Sequence, residues 1–207
     1  MDTDLTATPG ASVDLVFAVH GQSLPREHRL ALATALQQAL PWLAGLAGAG
    51  IHPLNVSAGG GPVALLSRRT RLTLRLPRTC AAEAATLAGR TLDVAGAPLH
   101  LGAAQVRELR PYGTLYAHLV AADSADEAAF LRVVQDETRA LGVTCRPICG
   151  RHQVTEAGAL QGFGLMLDGL STGHALRVLQ AGIGAHRRLG CGVFVPHKSA
   201  AAVGTPA

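Results

Sequence analysis

The apolar residues of this 207-residue chain run twice through the same order of elements, and few folds can be built from such a repeat. Residues 13–20 (VDLVFAVH) are short and rich in β-branched side chains, which reads as a strand. Leu32, Leu36, Leu40 and Leu43 follow at helical spacing and predict a helix over 25–43, with Pro25 in its first turn. Residues 51–57 and 70–76 read as a hairpin, with a turn at 59–62 between them. A short alanine-rich helix over 80–88 precedes one or two strands around Gly96 in 91–110. Beyond 111–113 the order begins again: a strand over 114–121, a helix over 126–141, a hairpin of 143–148 and 160–167, a helix over 171–180, and a strand over 191–195. Ser171 or Thr172 caps that last helix and Gly182 stops it.

Each half therefore reads β-α-β-β-α-β. The fold class is α+β, two tandem ferredoxin-like (RRM-like) domains, each a four-stranded antiparallel sheet with two helices on one face. The expected divisions are a disordered lead-in over 1–12, a first domain over 13–110, a joint at 111–113, a second domain over 114–197 and a disordered tail over 198–207. With 48% hydrophobic and 15% charged residues, the chain has the material for packed cores and lacks the composition of a disordered protein. Its longest apolar stretch is broken by Gln37, Gln38 and Pro41, too short for a membrane helix. The start of the chain carries Asp2 and Asp4 and no apolar signal segment, so a cytoplasmic location is expected. Cys80, Cys145, Cys149 and Cys191 are too scattered for a disulfide scaffold, and Cys145, Cys149 and His152 do not match zinc-ligand spacing.

Charge points to a class of partner. Six arginines (Arg29, Arg68, Arg69, Arg71, Arg75, Arg78) occupy residues 28–82 without a single acid, and Arg177, Arg187, Arg188 and Lys198 occupy 169–207, again without one. In a chain of pI about 9.2, such segments suit a polyanion, with nucleic acid first among candidates. Seven aromatic residues leave little for base stacking on a sheet, and no aromatic-rich RNP sequence is present. Strand alternation places Arg69, Arg71 and Arg75 on one face, suited either to phosphate contact or to plain solvation.

The most specific pattern is the loop 182–192, in which Gly182, Gly184, Gly190 and Gly192 bracket His186, Arg187 and Arg188. It lacks the Lys-Ser/Thr of a nucleotide-phosphate loop, and Arg187 stands where a dinucleotide fingerprint needs glycine. Paired glycine turns let backbone amides approach a ligand closely; the alternative is that these glycines only end a helix and begin a strand.

This loop, GIGAHRRLGCGVFVP, together with DLVFAVHGQSLPREHRLALATAL and GIHPL, resembles the CRISPR repeat-processing endoribonucleases, the Cas six family of the repeat-associated RNA-binding superfamily, and in particular its small Myxococcus-type branch. The likeness runs from Val13 to Pro196. It implies two ferredoxin-like domains and cleavage of precursor CRISPR RNA at the base of the repeat hairpin, with no metal or other cofactor. Many family members keep the 3′ hairpin as a subunit of a Cascade-type interference complex, so the other subunits of such a complex are implied partners. Some have lost cleavage, so a non-catalytic RNA-binding subunit is the second reading. A metabolite-binding or assembly domain is a third, which the basic segments oppose.

RNA supplies its own nucleophile, the 2′-hydroxyl, so the protein must align it, take its proton and balance charge. His28, four residues before Leu32, falls at the rim of the first helix, where a helix N-terminus attracts phosphate and favours a neutral imidazole. The residues alone leave a structural or solvated His28 open; the resemblance, which places a catalytic histidine around this helix, points to the base. His52, at the start of the next strand, is the candidate second catalytic group, and His20 a weaker one. The Tyr or Lys that many family members add is missing, since neither residue occurs before Tyr112; Ser23, Ser57 or an arginine would have to substitute. Candidates for RNA contact are Arg68, Arg69, Arg71, Arg75, Gly182, Gly184, His186, Arg187, Arg188, Gly190, Gly192 and Lys198.

Overall fold

Strands and helices alternate in the computed structural model as the repeat predicts; it describes residues 12–197. In chain order they are β1 (Ser12–His20), β2 (Ser23–Pro25), α1 (Arg29–Ala39), β3 (Gly50–Ile51), β4 (Ser57–Ala58), β5 (Val63–Leu65), β6 (Arg71–Pro77), α2 (Ala81–Ala84), β7 (Thr91–Val94) and β8 (Ala97–Glu108). The second half continues with β9 (Thr114–Ala121), α3 (Glu127–Ala140), β10 (Arg146–Thr155), β11 (Leu160–Asp168), α4 (Thr172–Ala181) and β12 (Val195–Pro196). The first sheet has the order β3-β6-β1-β8-β7 and the second β10-β11-β9-β12, antiparallel at every pairing. In both, the first strand of the half lies centrally between its third and fourth, which is the ferredoxin-like order; β7 adds one strand to the first sheet.

Alternation explains the layers. Val13, Leu15, Phe17 and Val19 of β1 and Leu72, Leu74 and Leu76 of β6 point to one side, where they bury Leu32 and Leu36 of α1 and Ala84 of α2. In the second half Leu115 and Ala117 of β9 and Phe163, Leu165 and Leu167 of β11 do the same with Phe130 and Val134 of α3 and Val178 and Leu179 of α4. Phe130 stacks on Phe163 at 4.7 Å between ring centroids. Asp126 caps α3 and Ser171 caps α4, each side chain accepting an amide of the first turn.

Several boundaries differ from the sequence reading, each for a local reason. Pro25 does not open α1; it ends β2, which joins β5 and β4 in a small third sheet, where an edge position tolerates a residue without an N–H. The helix stops at Ala39 because Pro41 forces Leu40 out of helical geometry, and a 3-10 turn, Pro41–Ala44, follows. The strand expected over 51–57 shrinks to Gly50–Ile51, since Pro53 cannot donate to a ladder. Conversely β10 runs on to Thr155 through a bulge between Cys149 and His152. The closing strand is only Val195–Pro196, because Gly192 has φ +63° and turns the backbone out of strand geometry. The lead-in and tail expected at the termini fall, Ser12 apart, outside the described residues, as does Lys198. Among the described residues no helix is long and apolar enough to cross a membrane.

Candidate functional site

The first helical residue of α1 is Arg29, so His28 occupies the position just before it. Its Nδ1 lies 2.9 Å from the Pro25 carbonyl and 3.1 Å from that of Arg26. Both partners are acceptors, so Nδ1 carries the proton and donates, and the ring's lone pair is on Nε2. The residue is only 7% exposed, yet it lines a crevice together with Arg29, His52, Arg188 and Gly190. Two histidines of the first half and the edge of the distant glycine-rich loop are thus brought to one place.

The positive end of α1, which the sequence reading gives to a phosphate, is taken by the protein itself. Glu156, in the turn between β10 and β11, accepts the amide of Arg29 at 2.9 Å and that of Leu30 at 3.4 Å. In return Glu27 accepts the amide of Ala157 at 3.0 Å. Glu156 and Ala157 hold φ values of +53° and +52° to make this turn. A buried carboxylate on free helical N–H groups is favourable by charge and by hydrogen bonding, and it ties the two halves together. Glu156→Ala should cost about 1–2 kcal/mol, a fall in Tm of roughly 2–8 °C, readable in a thermal melt.

His52 is held differently. Its Nε2 lies 3.3 Å from Asp14 Oδ1, so Nε2 carries the proton and the lone pair is on Nδ1. Burial lowers its pKa, and the neighbouring Arg75 and Arg187 charges add to this, against the opposing pull of Asp14. It is therefore a neutral imidazole at pH 7. Burial alone would raise the Asp14 carboxyl, but hydrogen bonds to His52 and Arg75 hold it well below the usual carboxylate range.

Arg75 is a correction to the sequence reading. Alternation does place it on the same face as Arg71, but its end of that face is covered by the second half, and the side chain is 2% exposed. Its Nε and Nη2 reach Asp14 at 2.8 and 2.9 Å, and its Nη1 reaches the carbonyls of Leu179 and Phe194 at 3.1 and 2.7 Å. With four of its five N–H groups bonded inside the protein and the side chain buried, it staples one half to the other and is not a free cation for RNA.

The glycine-rich loop departs from expectation in a related way. Gly182, Gly184, Gly190 and Gly192 all have positive φ. Their amides, however, are spent internally: Gly182 on Val178 O, Gly184 on Glu137 Oε2 at 2.7 Å, Gly190 on Arg187 O and Gly192 on Leu119 O. A Cβ at Gly192 would stand 1.9 Å from the Ile183 carbonyl, and one at Gly190 2.8 Å from the Arg29 guanidinium. The close approach these glycines permit is to the protein's own backbone and side chains, not to a ligand's phosphate. Arg187 also turns inward, its Nη1 donating to the carbonyls of Gln180 and Ala181 at the end of α4. Burial, with Arg75 beside it, pushes its pKa down to about 10, and its Nε and Nη2 are buried without partners.

What stays open is a subset. Arg188 donates to Leu43 O at 3.2 Å and lines both the His28 crevice and an adjoining cleft of about 600 Å³ between residues 44–49 and the loop. His186 is exposed on that cleft with φ +62°. Arg68, Arg69 and Arg71 are exposed, but at the far end of β6, where Arg71 stands about 13 Å along the strand from Arg75. Among the described residues no three His, Cys, Asp or Glu side chains lie close enough to hold a metal ion. Sequence reasoning missed Asp14 and Glu156. Asp14 carries a signal, a lone acid inside an apolar strand opposite Arg75 in register, whereas Glu156 sits in a turn with nothing to distinguish it.

Comparison with known proteins adds an independent line. A family model described as "Cas6 Crispr" matches residues 13–199. A protein of Myxococcus xanthus (strain DK1622) named "CRISPR-associated endonuclease Cas6" is 37% identical over 194 residues, covering 92% of this chain and 84% of that protein. Among solved structures, one titled "CRISPR associated protein Cas6" superposes with a TM-score of 0.62 at 10% identity, over 90% of this chain and 100% of the other. A second, titled as a Cas6-related gene product from Pyrococcus furiosus, gives 0.59 at 9% identity, over 89% and 98%. At such identities the structural likeness speaks for the fold.

Proposed function

The chain belongs to the Cas6 family of CRISPR-associated endonucleases, and on that premise we propose that it processes precursor CRISPR RNA, cutting at the base of the repeat hairpin with His28 as the general base. The observation that carries this reading is the fixed tautomer of His28: Nδ1–H is anchored on two carbonyls, which leaves Nε2 a proton acceptor at a crevice flanked by Arg29 and Arg188. Nε2 takes the proton of a 2′-hydroxyl, the 2′-oxygen bonds to the adjacent phosphorus, and the bond to the 5′-oxygen breaks. The leaving oxygen takes a proton from water. The products are a 2′,3′-cyclic phosphate and a 5′-hydroxyl. Arg29 and Arg188 supply the positive charge that the pentavalent phosphorane needs. His52, neutral and oriented by Asp14, lines the same crevice and assists by fixing the position of the scissile nucleotide. Because the nucleophile belongs to the RNA, the reaction needs no metal. After cutting, the 3′ hairpin stays bound, and the protein enters a Cascade-type effector complex with it.

The test is incubation with a hairpin repeat RNA in EDTA. The expected result is a single cut leaving a 2′,3′-cyclic phosphate, with affinity falling steeply as salt rises. Retention of intact RNA would instead establish a non-catalytic subunit, and cleavage only with a divalent ion would overturn the mechanism.

A further inference from the structure

Four of the chain's aromatic residues, Phe17, Phe130, Phe163 and Phe194, are buried in the cores, so the position of the others is informative. Tyr116 and His118 alternate along β9 and share the face that points away from α3 and α4. Val195 of β12 pairs with Tyr116, and this brings His197 to the same face, its amide on Thr114 O at 3.0 Å. The Tyr116 ring lies 5.1 Å from that of His118 and 5.6 Å from that of His197. Its floor is a glycine of the neighbouring strand: a Cβ at Gly164 would stand 3.1 Å from the Tyr116 hydroxyl. Among the described residues His118 and His197 are exposed and Tyr116 is half-buried.

Packing places this patch beside the His28 crevice: Leu189, which lines that crevice with Arg29, packs against the cluster of Leu119, Leu160 and Cys191, and the Leu119 carbonyl, next to His118, accepts the Gly192 amide. Burial lowers the His118 pKa, and the Arg29 and His197 charges lower it further. Arg29 itself is steadied by donating to Leu189 O at 3.0 Å. The Tyr116 ring is inclined at 76° to that of His118 and at 55° to that of His197, so the cluster offers single ring faces rather than one plane, and with a cation nearby it matches one nucleobase joined to a phosphate.

We infer that Tyr116, His118 and His197 form a stacking platform for one unpaired nucleobase next to the cleaved bond, with Arg29 taking the adjoining phosphate. The platform makes the site selective for a stem that carries an unpaired flank over a blunt one. This rests on the RNA-processing reading above and adds to it a subsite that the cleavage chemistry does not require.

The experiment uses the full chain and hairpin RNAs with 2′-O-methyl riboses, which lack the nucleophile, either with a single-stranded flank or blunt. Tyr116→Ala should weaken binding of the flanked RNA by about 10- to 100-fold and leave the blunt RNA unchanged, while Tyr116→Phe binds both as the parent does, since stacking needs the ring and not the hydroxyl. 2-Aminopurine placed in turn at each flank position should be quenched at one position in the parent protein and released in Tyr116→Ala. Equal loss on both RNAs, an unaffected Tyr116→Ala, or no quenched position overturns the platform. Melting curves of both variants separate these results from a failure to fold. Absence of any hairpin binding by the parent protein instead removes the RNA reading, and the platform with it.

Discussion

His28→Asn should lower the rate of RNA cleavage by about 10²- to 10⁴-fold while leaving RNA affinity close to that of the parent protein. Asparagine is the informative replacement because its amide nitrogen can stand where Nδ1 stands and donate to the Pro25 and Arg26 carbonyls, which lie 2.9 and 3.1 Å from the present donor. The local turn before α1 then survives, and only the Nε2 acceptor is lost. A merely structural histidine predicts the reverse pattern: activity kept by asparagine and lost, with stability, by alanine. The measurement is a single-turnover cleavage rate together with a binding isotherm and a melt, made on His28→Asn and His28→Ala. Exogenous imidazole should restore part of the rate to the alanine variant, because removing the ring enlarges the crevice that it lines with Arg29 and Arg188. A full cleavage rate in His28→Asn would move the base to His52, the other histidine of that crevice.

The crevice explains how far the sequence could be read. Alternation and helical spacing carry the secondary structure because they report which side of an element is buried, and Val13, Leu15, Phe17 and Val19 are buried as that logic requires. Helix α1 lies where Leu32 and Leu36 put it, but both of its ends differ: Pro41 stops it before Leu40 and Leu43, and proline suits a first helical turn and a strand edge alike, so that only the pairing of β2 with β5 places Pro25. The meeting of His28 and His52 follows from two neighbouring elements of one half. The fates of Arg75 and of the helix N-terminus depend on the other half, and no local pattern encodes what will be packed against a face. The glycine spacing of 182–192 is legible as a run of positive-φ turns, yet whether a turn approaches a phosphate or the Ile183 carbonyl is a tertiary fact. Charge misled for the same reason: an acid-free segment reads as free cation, but Arg75 finds its acid, Asp14, outside it in β1.

That pairing is the basis of the largest effect expected on stability. Arg75→Ala should cost about 3–5 kcal/mol, a fall in Tm of roughly 6–20 °C, because it strands the Asp14 carboxylate and leaves the Leu179 and Phe194 carbonyls without their donor at the junction of the two halves. The double variant Asp14→Asn with Arg75→Met should recover part of that loss, since the uncompensated charge is then gone and methionine keeps most of the buried volume. The staple also sets how stability varies with pH. Asp14 is held below its ordinary value of 3.8, so its contribution is complete above that pH and drains away as acid protonates the carboxylate. His52 is likewise held below its ordinary 6.5, so as pH falls below 6.5 the unfolded chain takes up a proton that the folded state resists, and stability is lost. Both groups act in the same direction: the melting temperature should decline from pH 7 towards 5 through His52 and decline again below about 4 through Asp14. Asp14→Asn should flatten the lower step, and His52→Gln the upper one. A Tm for Arg75→Ala within a degree of the parent, or a melting profile flat between pH 7 and 3, would show that the halves are held by the Glu156 clasp and apolar packing alone.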